Sequence, residues 1–212
     1  MPPRRAGSRP LKRKTQIRPL KRTIVIFCEG EHSEPDYING VKRLPEVAAS
    51  TSISIEIDPE RGVPLKLVQR AIVRSREPET DECWCVFDVE WPENHPNLAQ
   101  AVSLAHQHGI RVAISNPCFE LWLLLHFEDY RRFVNTKEVE RRSMKWDGRT
   151  GKHIDAAQYM SRRKTAIIRA RALEAQHEQN GVAFPNNNPS SSMADLLLAI
   201  DRQSATDGVH PS

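Results

Sequence analysis

Between Thr23 and Ser115 short apolar runs alternate with helical stretches, strand then helix, without interruption. Residues 23–28 read as a buried strand, "SISIEID" (52–58) alternates at period two, and "CWCVFDV" (83–89) and "IRVAI" (110–114) supply two more. The intervening helices fall at 35–44, 64–77 and 96–108. The first takes Ser33 as its cap, with Pro35 near the first turn and Asp36 three residues after the serine. The second carries Leu65, Val68, Ala71, Ile72 and Ser75 on one face, and the third is closed by Gly109. This alternation predicts an α/β fold with a mainly parallel central sheet, helices flanking it and right-handed crossovers.

After Ser115 the pattern changes. "SNPCFELWLLLHF" (115–127) opens with a cap-and-proline signal and continues as a strongly apolar helix that belongs against the sheet. Residues 136–203 read as helical, with a long basic segment (161–180) ending at Gly181. The loop "VAFPNNNPSSS" then leads to a terminal helix with Ser192 and Asp195 at capping-box spacing. The 212 residues fit one core with appendages. The expected division is a basic tail (1–22), an α/β core (23–135), a helical extension packed on it (136–203) and a disordered tail (204–212).

The net charge of +4 conceals a division, because residues 1–22 hold nine Lys or Arg and no acid. The remainder has 22 basic and 27 acidic residues, so the body is acidic and the proline-spaced arm alone suits a polyphosphate backbone. No run of eighteen apolar residues and no signal-peptide core is present, which points away from membranes and secretion and toward the cytoplasm. Cys28, Cys83, Cys85 and Cys118 lie in or beside apolar runs and read as reduced core thiols. Cys83-x-Cys85 with His106-x-His108 does not have the usual zinc-ligand spacing.

Two of the strands end in acid: Glu29, with Glu31 and Glu34 behind it, and Asp88 with Glu90. In a parallel α/β sheet the strand C-termini share one edge, where ligands bind, so the two acidic ends can be neighbours. Crowded carboxylates are driven toward protonation unless a cation neutralises them. An all-oxygen set suits Mg²⁺ or Mn²⁺. In extended backbone Asp88 and Glu90 project to the same side and can face one ion. Glu31 and Glu34, taken singly, read as surface or capping residues. Glu120 sits in the first turns of its helix, where the dipole alone favours a carboxylate, and His126 reads as a packed histidine.

An apolar strand ending in Glu-Gly, followed by a strand ending in an acidic-x-acidic pair, resembles the Toprim fold of topoisomerases, primases and related nucleases. More narrowly, "CEGEHSEPDY", "VFDVE", "SNPCFELWLLLHF" and "NNPSSSMADLL", in that order, resemble the RloB-like family. The resemblance implies a Toprim-like, metal-dependent nuclease of bacterial anti-phage (abortive-infection) loci, paired with an AAA or ABC-like ATPase of the RloA type. Glu29 then matches the Toprim glutamate, and Asp88 and Glu90 its acidic pair, which is usually Asp-x-Asp.

On that reading Asp88 and Glu90 hold Mg²⁺, while Glu29 either completes the ligand set or serves as general base. Glu120 and His126 are further candidates for the site. Lys152, in "WDGRTGKHID", and the cluster Arg162, Arg163 and Lys164 are the candidate nucleic-acid contacts. The alternative is a non-catalytic nucleic-acid-binding or regulatory subunit. A small-molecule phosphotransferase is disfavoured, since neither GxxxxGK[ST] nor GxGxxG occurs.

Overall fold

The computed structural model describes residues 22–50 and 53–206. Most of the basic arm and residues 207–212 lie outside the described residues. Four strands, β1 (Arg22–Cys28), β2 (Ile53–Ile57), β3 (Glu82–Asp88) and β4 (Arg111–Asn116), are all parallel, and β5 (Ser190–Ser191) runs antiparallel to β4. The sheet order is β2-β1-β3-β4-β5. The helices are α1 (Ser33–Lys42), α2 (Pro45–Ala48), α3 (Pro64–Arg74), α4 (Leu98–Gln107), α5 (Phe119–Leu125), α6 (Thr136–Asp147), α7 (Ala157–Met160), α8 (Arg163–Gln179) and α9 (Met193–Thr206). This is the expected Toprim-like, Rossmann-like α/β architecture, a mainly parallel sheet flanked by helices.

Because successive strand residues point to opposite faces, each central strand feeds two cores. Ile24, Ile26, Cys28, Trp84 and Val86 face a large cluster that includes α1, α5, α8 and α9. Val25, Phe27, Cys83, Cys85 and Phe87 face a smaller one made with α3 and α4. On α3 the buried residues are Pro64, Leu67, Val68 and Ala71, so the apolar face centres on Leu67 rather than running from Leu65 to Ser75, which is exposed. The four cysteines are free and buried, whereas His106 and His108 are exposed, so the thiols and imidazoles do not meet.

Every residue of α5 is buried, since the helix lies between the sheet on one side and α6 and α8 on the other. His126 follows it into the core. Its Nδ1 is 2.9 Å from the Trp122 carbonyl oxygen and its Nε2 3.0 Å from the Tyr37 hydroxyl. Burial pulls its pKa down to about 4, so it packs as a neutral ring.

Several boundaries differ from expectation. Arg22 belongs to β1, where it pairs with Glu82. Ser33 is the first helical residue rather than a capping side chain, and α9 continues through Thr206. The serine run adds a strand: Ser192 Oγ accepts the Ile114 N–H at 2.8 Å and the Ser115 and Ser191 hydroxyls lie 3.0 Å apart. Ser192 therefore serves the sheet instead of a capping box, and Asp195 pairs with Arg171. The C-terminal region is thus part of the same sheet and core. No helix among the described residues is long and apolar enough to cross a membrane.

Leu123, fully buried in α5, and Ile168, mostly exposed on α8, give a test of this arrangement. Leu123→Ala should cost about 2–5 kcal/mol in urea unfolding. Ile168→Ala should change stability by less than about 0.5 kcal/mol.

Candidate functional site

The chain leaves β1 toward β2 on one side and, later, β3 toward β4 on the other, so the C-terminal ends of β1 and β3 flank a topological switch point. Glu29 directly follows β1. Its N–H donates to the Val86 carbonyl (3.0 Å), and its Oε2 accepts the Asp88 N–H (3.0 Å), which lays the carboxylate across the gap between the two strands. Its Oε1 is 2.6 Å from Nε2 of His95, a residue of the loop after β3.

Asp88 is the last residue of β3, and its Oδ1 is buried without a hydrogen-bond partner. Burial pushes its carboxyl well above the usual range, and Glu34, Glu120, Glu29 and Glu90 push in the same direction. Glu34 is buried too, contrary to its reading as a surface or capping residue. Its Oε1 accepts the Gly30 N–H at 3.0 Å, and the carboxyl occupies the space that a Cβ at Gly30 would need. The Glu-Gly pair thus has a steric reason: the glycine leaves room for a second carboxylate behind the first. Burial, with Glu120 and Glu29 adding, raises Glu34 to about 7.

Glu120 enters from the first turn of α5 and is buried. Ser33 Oγ donates to it at 3.4 Å and to the Lys152 carbonyl at 2.8 Å. Arg149 Nη2 stands 3.7 Å from Glu120 Oε1, and this guanidinium is buried with Nε and Nη2 lacking hydrogen-bond partners. Glu90 departs from the extended geometry expected of it, because its φ is +67° and β3 has already ended. Its N–H donates to the Pro117 carbonyl (2.8 Å) and its Oε2 accepts from Thr136 Oγ1 (2.8 Å). Burial raises its pKa, while the Thr136 bond and His95 act against the rise. The hydrogen bond to Glu29 raises the pKa of His95, so the imidazole retains its proton to higher pH.

Glu29, Asp88, Glu90 and Glu120 are therefore brought to one end of the sheet, joined by Glu34, while Glu31 stays exposed. Sequence reasoning took Glu34 for a surface or capping residue and Ser33 for a helix cap, and did not single out His95 or Arg149. Only Glu34 carried a signal, its position four residues past Gly30. The basic candidates disperse. Lys152 Nζ lies 3.6 Å from Glu140, Arg162 stands over the Phe127 ring at 5.1 Å, and Arg163 pairs with Glu46 instead of facing solvent freely. Lys164 is exposed.

Among the described residues, no three His, Cys, Asp or Glu side chains already stand in an arrangement able to hold a metal ion. The donor set nonetheless suits a hard cation: oxygen ligands of one charge, with a buried, unpartnered Asp88 oxygen at the centre. In the structure Glu29 is engaged by His95 through Oε1 and Glu90 by Thr136 through Oε2.

The raised acids set a pH dependence. A carboxyl whose folded pKa lies above its unfolded value binds its proton more tightly in the native state, and that contribution is lost as pH rises through the folded value. For Glu34 the window runs from about 4.5 to about 7, and the shifts of Asp88 and His95 have the same sign. In EDTA the Tm should therefore fall between pH 5.5 and 8, with a shallower fall in Glu34→Gln. Mn²⁺ should raise Tm more at pH 8 than at pH 5.5. A flat profile in EDTA would show that these carboxylates ionise freely.

No curated protein and no solved structure gave a significant match. A model of the RloB-like protein family matches residues 24–200, which spans β1 through most of α9 and includes every carboxylate described above. The chain belongs to the RloB-like protein family.

Proposed function

We propose that the protein is a metal-dependent, Toprim-like nuclease that hydrolyses phosphodiester bonds of DNA or RNA in bacterial anti-phage defence, in the cytoplasm, together with an RloA-type ATPase. The observation that carries this reading is Asp88: a half-buried side chain whose Oδ1 is buried without a partner, and on whose carboxyl four further carboxylates act. An arrangement so costly to ionise is retained where a cation is to be held.

Asp88, Glu29 and Glu90, with Glu34 beside them, are the residues that would hold Mg²⁺ or Mn²⁺. The ion would supply neutralisation of the scissile phosphate and acidification of a water. The chain's own groups do the rest. Glu29, once His95 moves off its Oε1, offers a free oxygen either to the ion or to a water proton. His95, whose pKa the bond to Glu29 raises, can give the proton at Nε2 to a leaving oxygen once it has left Glu29. Ser33 and Arg149 hold Glu120 at the rear of the cluster. Lys152, Arg162 and Lys164 remain the basic contacts proposed for the nucleic-acid backbone.

The second reading is a non-catalytic nucleic-acid-binding or regulatory subunit. The occupied oxygens of Glu29 and Glu90 favour it.

Labelled single- and double-stranded DNA and RNA, incubated with Mg²⁺, Mn²⁺ or EDTA, alone and with the partner ATPase, distinguish the two. Cleavage should require the divalent ion and fall to background in Asp88→Asn and Glu29→Gln. His95→Asn should lose about 10²-fold in rate. Cleavage in EDTA, or cleavage indifferent to both carboxylate substitutions, overturns the mechanism. Binding without turnover even beside the ATPase selects the second reading.

A further inference from the structure

Trp91 and Phe133 are large aromatic side chains left in solvent, 40% and 58% exposed. Their rings meet edge to face, at 90° with centroids 5.2 Å apart, so each keeps the other in place. The pair is tied to the acidic cluster through Thr136, whose hydroxyl donates to Glu90 Oε2 (2.8 Å) and accepts the Trp91 N–H (3.1 Å). The Thr136 N–H in turn donates to the Trp91 carbonyl (3.4 Å). One threonine thus holds the backbone of Trp91, which carries the exposed indole, beside a site carboxylate.

The segment that carries Phe133 also brings basic residues. Arg132, which precedes Phe133, and Lys137, which follows Thr136, are exposed and make no ion pair among the described residues. Arg131, Arg141 and Arg142 nearby in sequence are each neutralised by a carboxylate. Residues 91–97 and 132–137 taken together hold these two cations and one acid, Glu93.

We propose that Trp91 and Phe133 form a stacking platform for unpaired bases, so that the substrate is a single-stranded nucleic acid, or an unpaired segment of one, led past Glu90 into the acidic cluster. This deepens the nuclease reading and rests on it. The argument is geometric. An indole face accepts a base only if that base presents its own face, and in a duplex both faces are covered by neighbouring base pairs. A base laid on one ring of this pair meets the edge of the other. Arg132 and Lys137 attract the phosphates that the carboxylates repel, and Thr136 keeps the platform at the rim of the cluster.

Binding is measured in EDTA, where the proposed chemistry is silent, by fluorescence anisotropy of a labelled 12-nucleotide single strand and of the blunt duplex of the same sequence. A 2-aminopurine in the strand reports stacking. The single strand should bind more tightly than the duplex and its 2-aminopurine should be quenched. Trp91→Ala and Phe133→Ala should each weaken single-strand binding by about fivefold or more. Trp91→Phe should retain most of the affinity, and Arg132→Ala should lower the salt dependence by about one counterion. Ile168→Ala, an exposed apolar side chain elsewhere, should bind as the parent does.

Equal affinity for strand and duplex, or affinity unchanged by both aromatic substitutions in folded variants, overturns the platform. So does a loss confined to binding of the partner ATPase, which would make the pair a protein contact. The two levels separate cleanly. Should Asp88→Asn abolish cleavage while the aromatic variants bind normally, the nuclease reading stands and the platform falls. Should the aromatic variants lose binding in a protein that cleaves nothing, the platform stands as a binding site and the nuclease reading falls.

Discussion

The fold holds five carboxylates at one end of a sheet, two of them on adjacent strands whose hydrogen bonding does not let them separate. Two unit charges about 4 Å apart still interact by about 4 kcal/mol at the effective dielectric of a protein surface. The protein responds in the two ways open to it. Asp88 and Glu34 hold on to protons, and Glu29 takes the imidazole of His95 as its counter-charge. Neither response is a stable design for its own sake, since apolar residues at the same places would stabilise the junction more. The remainder of the molecule, with a packed core on each face of the sheet, supplies the stability that this edge withdraws.

The carboxylates come from separate elements, and the C-terminal half braces them. Glu29 and Asp88 belong to strand ends, Glu34 to α1, Glu120 to α5 and Glu90 to the turn after β3. Behind them the segment between α6 and α7 closes in. Ser33 bonds the Lys152 carbonyl, Asp147 pairs with Arg149 and accepts from Tyr159, and Arg149 in turn faces Glu120. Gly40 allows α1 to approach Ala156 so closely that a Cβ there would collide with it. The segment between α6 and α7 is therefore part of the frame of the site, and α5, every residue of it buried, joins that segment to the sheet.

What was legible in the sequence is what depends on periodicity and on strand ends. Alternation of strands and helices gave the sheet and its parallel sense, and the rule that parallel strands share a C-terminal edge put Glu29 beside Asp88. What was not legible depends on contacts between distant segments. Ser190–Ser192 have no apolar pattern, and they join β4 through backbone pairing that their hydroxyls supplement. His95 lies between polar residues and prolines, and only the fold of its loop back to Val89 brings it to Glu29. Glu34 had the capping position of a surface residue, yet α1 begins at Ser33, two residues before the expected 35, and Glu34 lies buried in its first turn. Arg163 looked like surface charge in a basic run and is instead spent on Glu46.

Glu90 shows where a sequence rule and a backbone part company. Same-side projection of residues two apart holds only while the chain stays extended, and the chain stops being extended at Asp88. A left-handed φ is uncommon for a residue with a β-carbon, and it points the side chain away from the line set by Asp88. From there the carboxylate meets Thr136 on α6. Glutamate has one methylene more than aspartate, and thus the longer reach to span between the helix and the cluster. In that geometry Glu90 is shared between two surfaces: one oxygen anchors the rim that carries Trp91, and its charge still acts on Asp88. A residue held in both ways ties the segment that carries Trp91 to the carboxylate at the end of β3, and the turn at Glu90 is what places it between them.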